Sequence, residues 1–156
     1  KEIHQYIGNI INKLGVKSAL AQGLDHPVTT ATSLKGHVYK LFTCDFRDGG
    51  ILFGHLKLTK KNLYLHNKAG ELKPYETMCV SDFFIMAEYQ RQGNGLELFK
   101  FMLKVDMGYA PHQLAIDAPS VKMINFLYKH FSLNLKLQSN NYAIDDSFFE
   151  EHDCDR

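Results

Sequence analysis

Hydrophobic and polar positions follow two different periods along this chain. The first residues have the i, i+4, i+7, i+8 and i+11 apolar spacing of an amphipathic helix, which predicts a helix over Glu2 to Leu14. The apolar residues with this spacing are Ile3, Ile7, Ile10, Ile11 and Leu14. Gly15 is well placed to end the helix, and the segment VKSALAQGL adds another turn or two before Gly23. The polar segment TTATSL that follows is a loop or a short helix.

The period then changes to two, which is typical of strands. His37 to Phe46 and Ile51 to Lys60 are predicted strands, and Arg47 to Gly50 (RDGG) has the residues of a hairpin turn. The segment NLYLHN predicts a third short strand, and Glu76 to Tyr89 predicts a longer one. This part of the chain therefore indicates antiparallel strands.

Helical spacing returns in the second half. Leu96 to Lys104 is a predicted helix, His112 to Asp117 is a short apolar strand, and the segment APSVKMINFLYKHF is a second helix with Ser120 as a possible cap. The segment NYAIDDSFF predicts a last strand and a tail. The order of elements indicates a single mixed α/β domain over residues 1–156.

Composition narrows the classes of function. The chain has 156 residues, 45% apolar and 22% charged, which is a globular profile. Its formal net charge of +1 does not favour a bulk nucleic-acid binder, and no apolar run approaches the length of a membrane span. Because the chain begins with a lysine, we interpret it as the excised core of a longer protein.

The cysteines and histidines predict no metal site. Cys44, Cys79 and Cys154 fit no zinc spacing, and their odd number argues against a disulfide framework. The eight histidines include no HExxH pair. A reducing compartment is the simplest expectation.

A glycine-broken loop stands directly before a predicted helix. Gln90 to Gly95 (QRQGNG) follows a predicted strand, and the N-terminus of a helix offers unpaired N–H groups and partial positive charge to a phosphate. The loop lacks the Gly-Lys-Ser/Thr of a Walker motif and the third glycine of a dinucleotide fingerprint. It is either a diphosphate cradle or an ordinary turn between a strand and a helix.

The arrangement of this loop resembles the acyl-CoA loop of the GCN5-related N-acetyltransferase (GNAT) superfamily. The segments CVSDFFI before the loop, PHQLAIDAPS and FLYKHF after it, ALAQGLDHPVTTA near the start and NNYAI near the end resemble the α-tubulin N-acetyltransferase family. The resemblance spans most of the chain and is strongest from Cys79 to Phe131. It implies a GNAT-like domain in which helices flank a central, mostly antiparallel sheet.

The resemblance also implies an activity and its setting. We expect acetyl-CoA-dependent acetylation of a lysine of α-tubulin in the microtubule lumen, by direct transfer in a ternary complex. Acetyl-CoA is the co-substrate and no metal is expected. The expected partner is α-tubulin in microtubules, and neither a nucleic acid nor a membrane is an expected partner. The protein is expected to be a monomer. It is expected in the cytoplasm on microtubules, including those of cilia or axons.

Three residues are expected in catalytic positions. Asp117, at the end of a strand, is either an N-cap-like aspartate or a carboxylate that acts as a general base or orients a lysine ammonium. The resemblance makes it the catalytic aspartate. Cys79 is a small core residue by type, and the resemblance places it near the acetyl group. Gln22 is a surface glutamine by type and an active-site residue by resemblance, and Asn141, by type a turn former, is implied to lie near the substrate peptide.

The resemblance implies further residues that bind acetyl-CoA. The backbone of a strand is expected to pair with the pantetheine arm of acetyl-CoA, and the glycine loop is expected to hold the pyrophosphate. The later helix is expected to provide a second contact with CoA. From residue type alone, Lys122 and Lys129 are a solvated helix face. The expected residues are Phe83, Phe84, Ile85, Gln90, Arg91, Gln92, Gly93, Asn94, Gly95, Leu96, Ser120, Lys122 and Lys129.

Two positions depart from the family pattern. Many members have arginine where this chain has Leu96 and Ala118. Losing one charged hydrogen bond removes on the order of 1.5–3 kcal/mol unless something compensates. Separately, Lys57, Lys60 and Lys61 form either a basic patch for an acidic surface or an ordinary solvated strand edge.

Two alternatives to the tubulin substrate stay open at this point. One is an acetyltransferase of the same superfamily with another protein lysine or a small amine as acceptor. The other is a binding module for CoA or microtubules without catalysis.

Overall fold

The first helix is longer than the sequence pattern predicts. A computed structural model describes residues 2–34, 38–44, 50–108 and 110–152. Helix α1 spans Glu2–Gln22 and passes through Gly15, so the prediction that Gly15 ends it is wrong. A Cβ atom at position 15 would lie 1.9 Å from the carbonyl oxygen of Thr29. Gly15 therefore permits the close packing of α1 against the following loop.

The chain divides into two compact units, the first formed by residues 1–58 and 82–101. Its strands have the order β1-β2-β3, and β1 is antiparallel to β2. The predicted turn at positions 47–49 lies outside the described residues. The elements that contribute to this unit are α1, a 3₁₀ turn (Ala31–Leu34), β1 (Val38–Cys44), the start of β2 (Ile51–His66), the end of β3 (Leu72–Ile85), a 3₁₀ turn (Ala87–Tyr89) and α2 (Asn94–Met102).

The second unit is formed by residues 59–81 and 102–156. Its strands have the order β2-β3-β4-β6-β5, with β3 and β4 parallel and β6 antiparallel to both β4 and β5. Its elements are the remainders of β2 and β3, a π-helical turn (Leu103–Met107), a 3₁₀ turn (Pro111–Gln113), β4 (Ala115–Asp117), α3 (Val121–Phe131), β5 (Leu135–Leu137), β6 (Tyr142–Asp145) and α4 (Phe148–His152). The mixed α/β class with a mostly antiparallel sheet is confirmed among the described residues.

Several predicted bounds differ from the structure. The strands predicted before and after Lys61 form one continuous strand, β2, because no glycine or proline stands at the junction between them. The predicted strand His112–Asp117 shortens to Ala115–Asp117, since Pro111 begins a 3₁₀ turn there. Strand β5 was not predicted, and its three residues are too few to show a period.

Buried apolar side chains support each unit. In the second unit one cluster includes Cys79, which is fully buried. The cluster consists of Leu63, Leu65, Tyr75, Cys79, Ala115, Ile144, Phe148 and Phe149. In the first unit the buried residues include Ile11, Leu14, Phe53, Leu56, Leu98 and Phe99. Among the described residues, no helix has both the length and the apolar character needed to cross a membrane.

Candidate functional site

Cys79, Asp117 and Tyr142 share one face of the sheet in the second unit. Cys79 on β3 is opposite Ala115 on β4, two residues before Asp117. Asp117 is in turn opposite Tyr142 on β6. Because side chains two apart on a strand, and side chains directly opposite across strands, point to the same face, these three project together.

Lys61 adds a cation to this group. Its Nζ donates a hydrogen bond to Oη of Tyr142 at 2.7 Å and lies 5.4 Å from the centre of the Tyr142 ring. The hydrogen bond with Tyr142 raises the pKa of the Lys61 ammonium, burial opposes the rise, and the charge of Asp117 adds to it. We call Lys61, Cys79, Asp117 and Tyr142 the Asp117 cluster.

The Cys79 thiol within the cluster is held in its neutral form. Burial raises its pKa to about 12, and the negative charge of Asp117 acts in the same direction, while Lys61 opposes both. Sγ contacts the carbonyl oxygen of Thr77 at 3.9 Å. The thiol is therefore a poor nucleophile, because the thiolate is the reactive form.

Asp117 does not cap the helix that follows it. Ser120 is the N-cap of α3, and its side chain accepts a hydrogen bond from the Met123 N–H at 3.2 Å. Ala118 has a φ of 39°, and its N–H donates to the carbonyl oxygen of Asn141 at 2.9 Å. The Asp117 carboxylate is partly exposed at the end of β4, so it is accessible for proton transfer.

A second polar group, in the first unit, centres on Asp82. Oδ1 of Asp82 accepts from Ser18 Oγ at 3.1 Å and, in a longer contact, from Gln22 Nε2 at 3.5 Å. Oδ2 accepts from Thr29 Oγ1 at 2.6 Å and lies 2.9 Å from His55 Nε2. Ser18 Oγ also accepts from Gln22 Nε2 at 2.9 Å. We call these five residues the Asp82 network.

Asp82 is ionised although it is almost fully buried. Burial alone would raise its pKa, but the hydrogen bond and charge of His55, with the hydroxyls of Thr29 and Ser18, lower the pKa below its usual value. Asp82 is not among the site residues predicted from the sequence. A single carboxylate within the apolar strand CVSDFFI was the available signal, because such a group needs buried partners.

The glycine loop, Gln90–Gly95, is closed by its own amide side chains. Gln90 Nε2 donates to the Ile85 carbonyl oxygen at 2.7 Å, and Asn94 Nδ2 donates to the Tyr89 carbonyl oxygen at 2.8 Å. Gln92 donates in the same way to Glu88 at 2.9 Å.

The backbone of this loop is left-handed at two positions before α2 begins. Arg91 has a φ of 59° and Gly93 a φ of 82°, and the Gly93 carbonyl oxygen accepts the Glu97 N–H at 3.0 Å. A Cβ atom at position 93 would meet no atom within 4 Å, so conformation, not crowding, requires glycine there. The loop is pre-shaped, with open space at its glycine.

The remaining predicted site residues lie either at the end of β3 or near the protein surface. Phe84 and Ile85 are buried, and Phe83 packs edge-on against Phe99 with 5.8 Å between ring centres. Strand β3 continues to Ile85 beyond its last pair with β4, Val80 with Ile116.

On the surface, Lys122 and Lys129 are exposed on α3, and Leu96 is partly buried in α2. Asn141 is exposed at a φ of 65°, which fits a turn former. Its carbonyl oxygen holds the turn after Asp117.

The structure thus groups the predicted site residues by unit. Gln22, Phe83, Phe84, Ile85 and the glycine loop with Leu96 belong to the first unit. Cys79, Asp117, Ser120, Lys122, Lys129 and Asn141 belong to the second.

The three lysines do not form one solvated patch. Lys57 is buried, and its Nζ donates to the Val28 carbonyl oxygen at 2.9 Å. Lys60 forms an ion pair with Glu76 at 2.6 Å, and Lys61 belongs to the Asp117 cluster. In the described parts of the chain, no three His, Cys, Asp or Glu side chains are arranged to hold a metal ion.

Comparison with known proteins identifies the family of this chain. The sequence profile of the family described as "GNAT acetyltransferase, Mec-17" matches residues 1–156. The chain belongs to this Mec-17 family. The resemblance on which the site predictions rest is therefore confirmed.

Curated relatives of this Mec-17 family member carry the name α-tubulin N-acetyltransferase. The Anopheles gambiae protein is 42% identical over 147 residues, and the match covers 92% of this chain and 30% of the relative. The Aedes aegypti protein is 41% identical, and the match covers 92% of this chain and 53% of the relative. The Danio rerio protein "Alpha-tubulin N-acetyltransferase 1" is 38% identical, and the match covers 92% of this chain and 50% of the relative. The chain thus spans about half or less of the length of these relatives.

A solved structure supports the fold alone. A chain in the crystal structure of the KacTA–DNA complex superposes on this Mec-17 family member with a TM-score of 0.51 and 17% sequence identity. The match covers 77% of this chain and 74% of the other chain. Together with the family profile, this confirms the predicted GNAT fold.

Proposed function

We propose that this chain is the catalytic part of an α-tubulin N-acetyltransferase. It transfers the acetyl group of acetyl-CoA to the side-chain amine of an α-tubulin lysine in the microtubule lumen. The family membership and the names of relatives at 38–42% identity support the substrate. A cytoplasmic location on microtubules follows from that substrate.

The Asp117 cluster is the observation that carries the proposal. An aspartate at a strand end lies on the same face as a neutral thiol, with a lysine cation held by Tyr142. Asp117 is partly exposed, does not cap α3 and is free of that structural task. A partly exposed carboxylate in this setting suits a general base.

Asp117 removes the proton that prevents attack. A free lysine has a pKa of about 10.4, so at neutral pH its ammonium has no lone pair. The Asp117 carboxylate accepts one proton from the ammonium, directly or through one water. The N–C bond then forms, the C–S bond breaks, and the second proton of the nitrogen leaves with the CoA sulfur as the free thiol.

Direct transfer is favoured over an acetyl-cysteine intermediate. A relay through Cys79 needs its thiolate, and burial raises the pKa of Cys79 to about 12. Cys79 then contributes an uncharged side chain to the site and takes no part in the transfer. It belongs to the same buried cluster as Tyr75, Ala115 and Ile144.

The glycine loop fits the diphosphate of acetyl-CoA, which supplies the activated acetyl group. Open space at Gly93 and the left-handed backbone at Arg91 and Gly93 permit close approach of a phosphate to the N–H groups before α2. Residues Phe83 to Ile85 are proposed to pair with the pantetheine arm, and Lys122 and Lys129 to provide further cationic contacts.

Replacing Asp117 tests the proposal. Assembled microtubules and acetyl-CoA are incubated with the wild-type chain, with Asp117→Asn and with Asp146→Asn, and acetyl-lysine on α-tubulin is measured. Asp146 is a suitable control because it is an exposed aspartate of the same unit, paired with Lys136 at 2.7 Å. We expect Asp117→Asn to lower kcat about 10²–10⁴-fold and Asp146→Asn to change it little.

Other results would point elsewhere. Acetylation of other protein lysines but not of tubulin would indicate a different acceptor. Saturable acetyl-CoA binding without any turnover would indicate a binding module. Equal activity of Asp117→Asn and the wild type would remove Asp117 from the mechanism.

A further inference from the structure

The Asp82 carboxylate is surrounded by hydrogen-bond donors. An ionised carboxylate only accepts hydrogen bonds and has about four lone-pair positions. Ser18, Gln22, Thr29 and His55 present four donors to it at 2.6–3.5 Å. The carboxylate and three of these residues are buried, with 5% of Asp82 exposed and at most 1% of Ser18, Thr29 and His55. The direction of every hydrogen bond in the network is therefore fixed by Asp82.

This fixes the orientation of the Gln22 amide. Nε2 of Gln22 faces Ser18 Oγ at 2.9 Å and Asp82 Oδ1 at 3.5 Å. The Ser18 hydroxyl gives its hydrogen to Asp82, so toward Gln22 it can only accept. The reversed amide would place its carbonyl oxygen against two acceptors. The Gln22 carbonyl oxygen consequently points away from the network, on a side chain that is exposed.

The surroundings of that oxygen favour a donor with positive character. Gln22 is the last residue of α1, and the C-terminal end of a helix carries partial negative charge. The N–H groups of Gly23 and Leu24 pair with the carbonyl oxygens of Leu20 and Ala19 at this end. The last turn of α1 contains no basic residue to offset this charge. An amine or amide N–H of a polypeptide fits this end of the helix better than the anionic phosphates of CoA.

We propose that Asp82 is a positioning residue that holds the carbonyl oxygen of Gln22 outward, as the hydrogen-bond acceptor for an N–H group of the acceptor polypeptide. Gln22 is then a specificity-determining contact, and Ser18 transmits the orientation from Asp82 to it. The inference rests on the proposed function for the identity of the acceptor polypeptide.

The main test compares two serines that have the same local role. Ser18 donates to Asp82 Oδ1, and Ser147 likewise donates to Oδ1 of Asp145, a buried carboxylate in the other unit. Each Ser→Ala change is expected to lower the melting temperature by about 2–4 °C. Ser18→Ala is expected to raise KM for microtubules about three- to tenfold and to leave KM for acetyl-CoA unchanged. Ser147→Ala is expected to change neither KM.

Two more variants complete the kinetic test. Gln22→Met removes the amide, so adding Ser18→Ala to it is expected to raise KM for microtubules no further. Equal effects of Ser18→Ala and Ser147→Ala on KM would overturn the proposal and leave the network a purely structural one. A rise in KM for acetyl-CoA instead of microtubules would overturn the choice of acceptor.

A second readout does not depend on turnover. The side-chain amide of Gln22 is observed by NMR in the ¹⁵N-labelled chain and is assigned from the signal that Gln22→Met removes. Asp82→Asn and Ser18→Ala are expected to shift this signal, whereas Ser147→Ala leaves it in place. An unmoved signal would overturn the positioning by Asp82. Failure of the wild-type chain to acetylate tubulin would instead overturn the proposed function.

Discussion

At Cys79, burial and electrostatics act against ionisation of one thiol. The side chain is fully buried among aliphatic and aromatic residues, and the negative charge of Asp117 adds to the effect of burial. Lys61 opposes both but does not outweigh them. A cysteine on the same face of the sheet as Asp117 thus has the chemistry of a core residue.

This environment predicts slow modification of Cys79. At pH 8, a thiol with a pKa of about 12 is ionised in about one molecule in 10⁴. We expect iodoacetamide to label Cys79 at least a hundredfold more slowly in the native chain than in the urea-unfolded chain, measured by peptide mass mapping. Lys61→Met removes the opposing cation and is expected to slow native labelling further.

Rapid native labelling at neutral pH would contradict this expectation and reopen the acetyl-cysteine route. The unfolded chain serves as the control for intrinsic reactivity of the same peptide.

At the level of the element, the glycine loop shows what local sequence can and cannot specify. Two glycines before a helical pattern predicted a loop followed by a helix, and the structure confirms that order, although α2 begins at Asn94 and not at Leu96. The amide side chains of Gln90 and Asn94 that close the loop on β3 and on the turn after it were not predicted, because their partners are backbone groups that only the fold brings near.

Two glycines provide a matched test of the loop. Gly93 has a φ of 82° and Gly70 a φ of 81°, and a Cβ at either position would meet no atom within 4 Å. Each Gly→Ala change is expected to cost about 1–2 kcal/mol of the free energy of unfolding, since left-handed backbone is strained for alanine. Only Gly93→Ala is expected to raise KM for acetyl-CoA, by about tenfold.

Denaturant unfolding measures the first effect and steady-state kinetics the second. If Gly70→Ala raised this KM as much as Gly93→Ala, the loop would not be the site of the diphosphate.

Other elements show the same difference: contacts between residues close in sequence were predicted, and contacts between residues far apart in sequence were not. The cap at Ser120 was predicted from residue type and is confirmed, since the capping bond spans only three residues. Gly15 was misinterpreted as the end of α1 because its close contact is with the carbonyl of Thr29, fourteen residues away. In the Asp82 network, Asp82 is separated from its four partners by 27 to 64 residues, so no periodicity reveals it.

For the whole molecule, Asp82 and Asp145 link folding to pH. Burial alone would raise the pKa of each carboxyl. Hydrogen bonds lower the pKa below the usual value instead, from His55, Thr29 and Ser18 for Asp82 and from Ser147 and Asn134 for Asp145. A lowered pKa in the folded state adds stability that is present above the unfolded value of about 3.9 and is lost as pH falls below it. Each unit contains one of these carboxylates.

Acid unfolding should therefore depend on Asp82. The free energy of unfolding of the wild type is expected to fall steeply between about pH 5 and pH 2. Asp82→Asn is expected to be less stable than the wild type at pH 7, and the difference should narrow as pH falls through this range. Urea unfolding followed by circular dichroism at a series of pH values measures both. A difference independent of pH would show that the charge of Asp82 is not what stabilises the fold.

The left-handed backbone at Ala118 has a consequence for how this site can vary. An exposed position is usually free to accept many side chains. Here the backbone has a φ of 39°, and the Ala118 N–H donates to the Asn141 carbonyl oxygen, so a β-branched residue would be strained whatever its polarity. We therefore expect glycine, asparagine and unbranched residues to be tolerated best at position 118, so that the backbone conformation beside Asp117, and not polarity, limits substitution there.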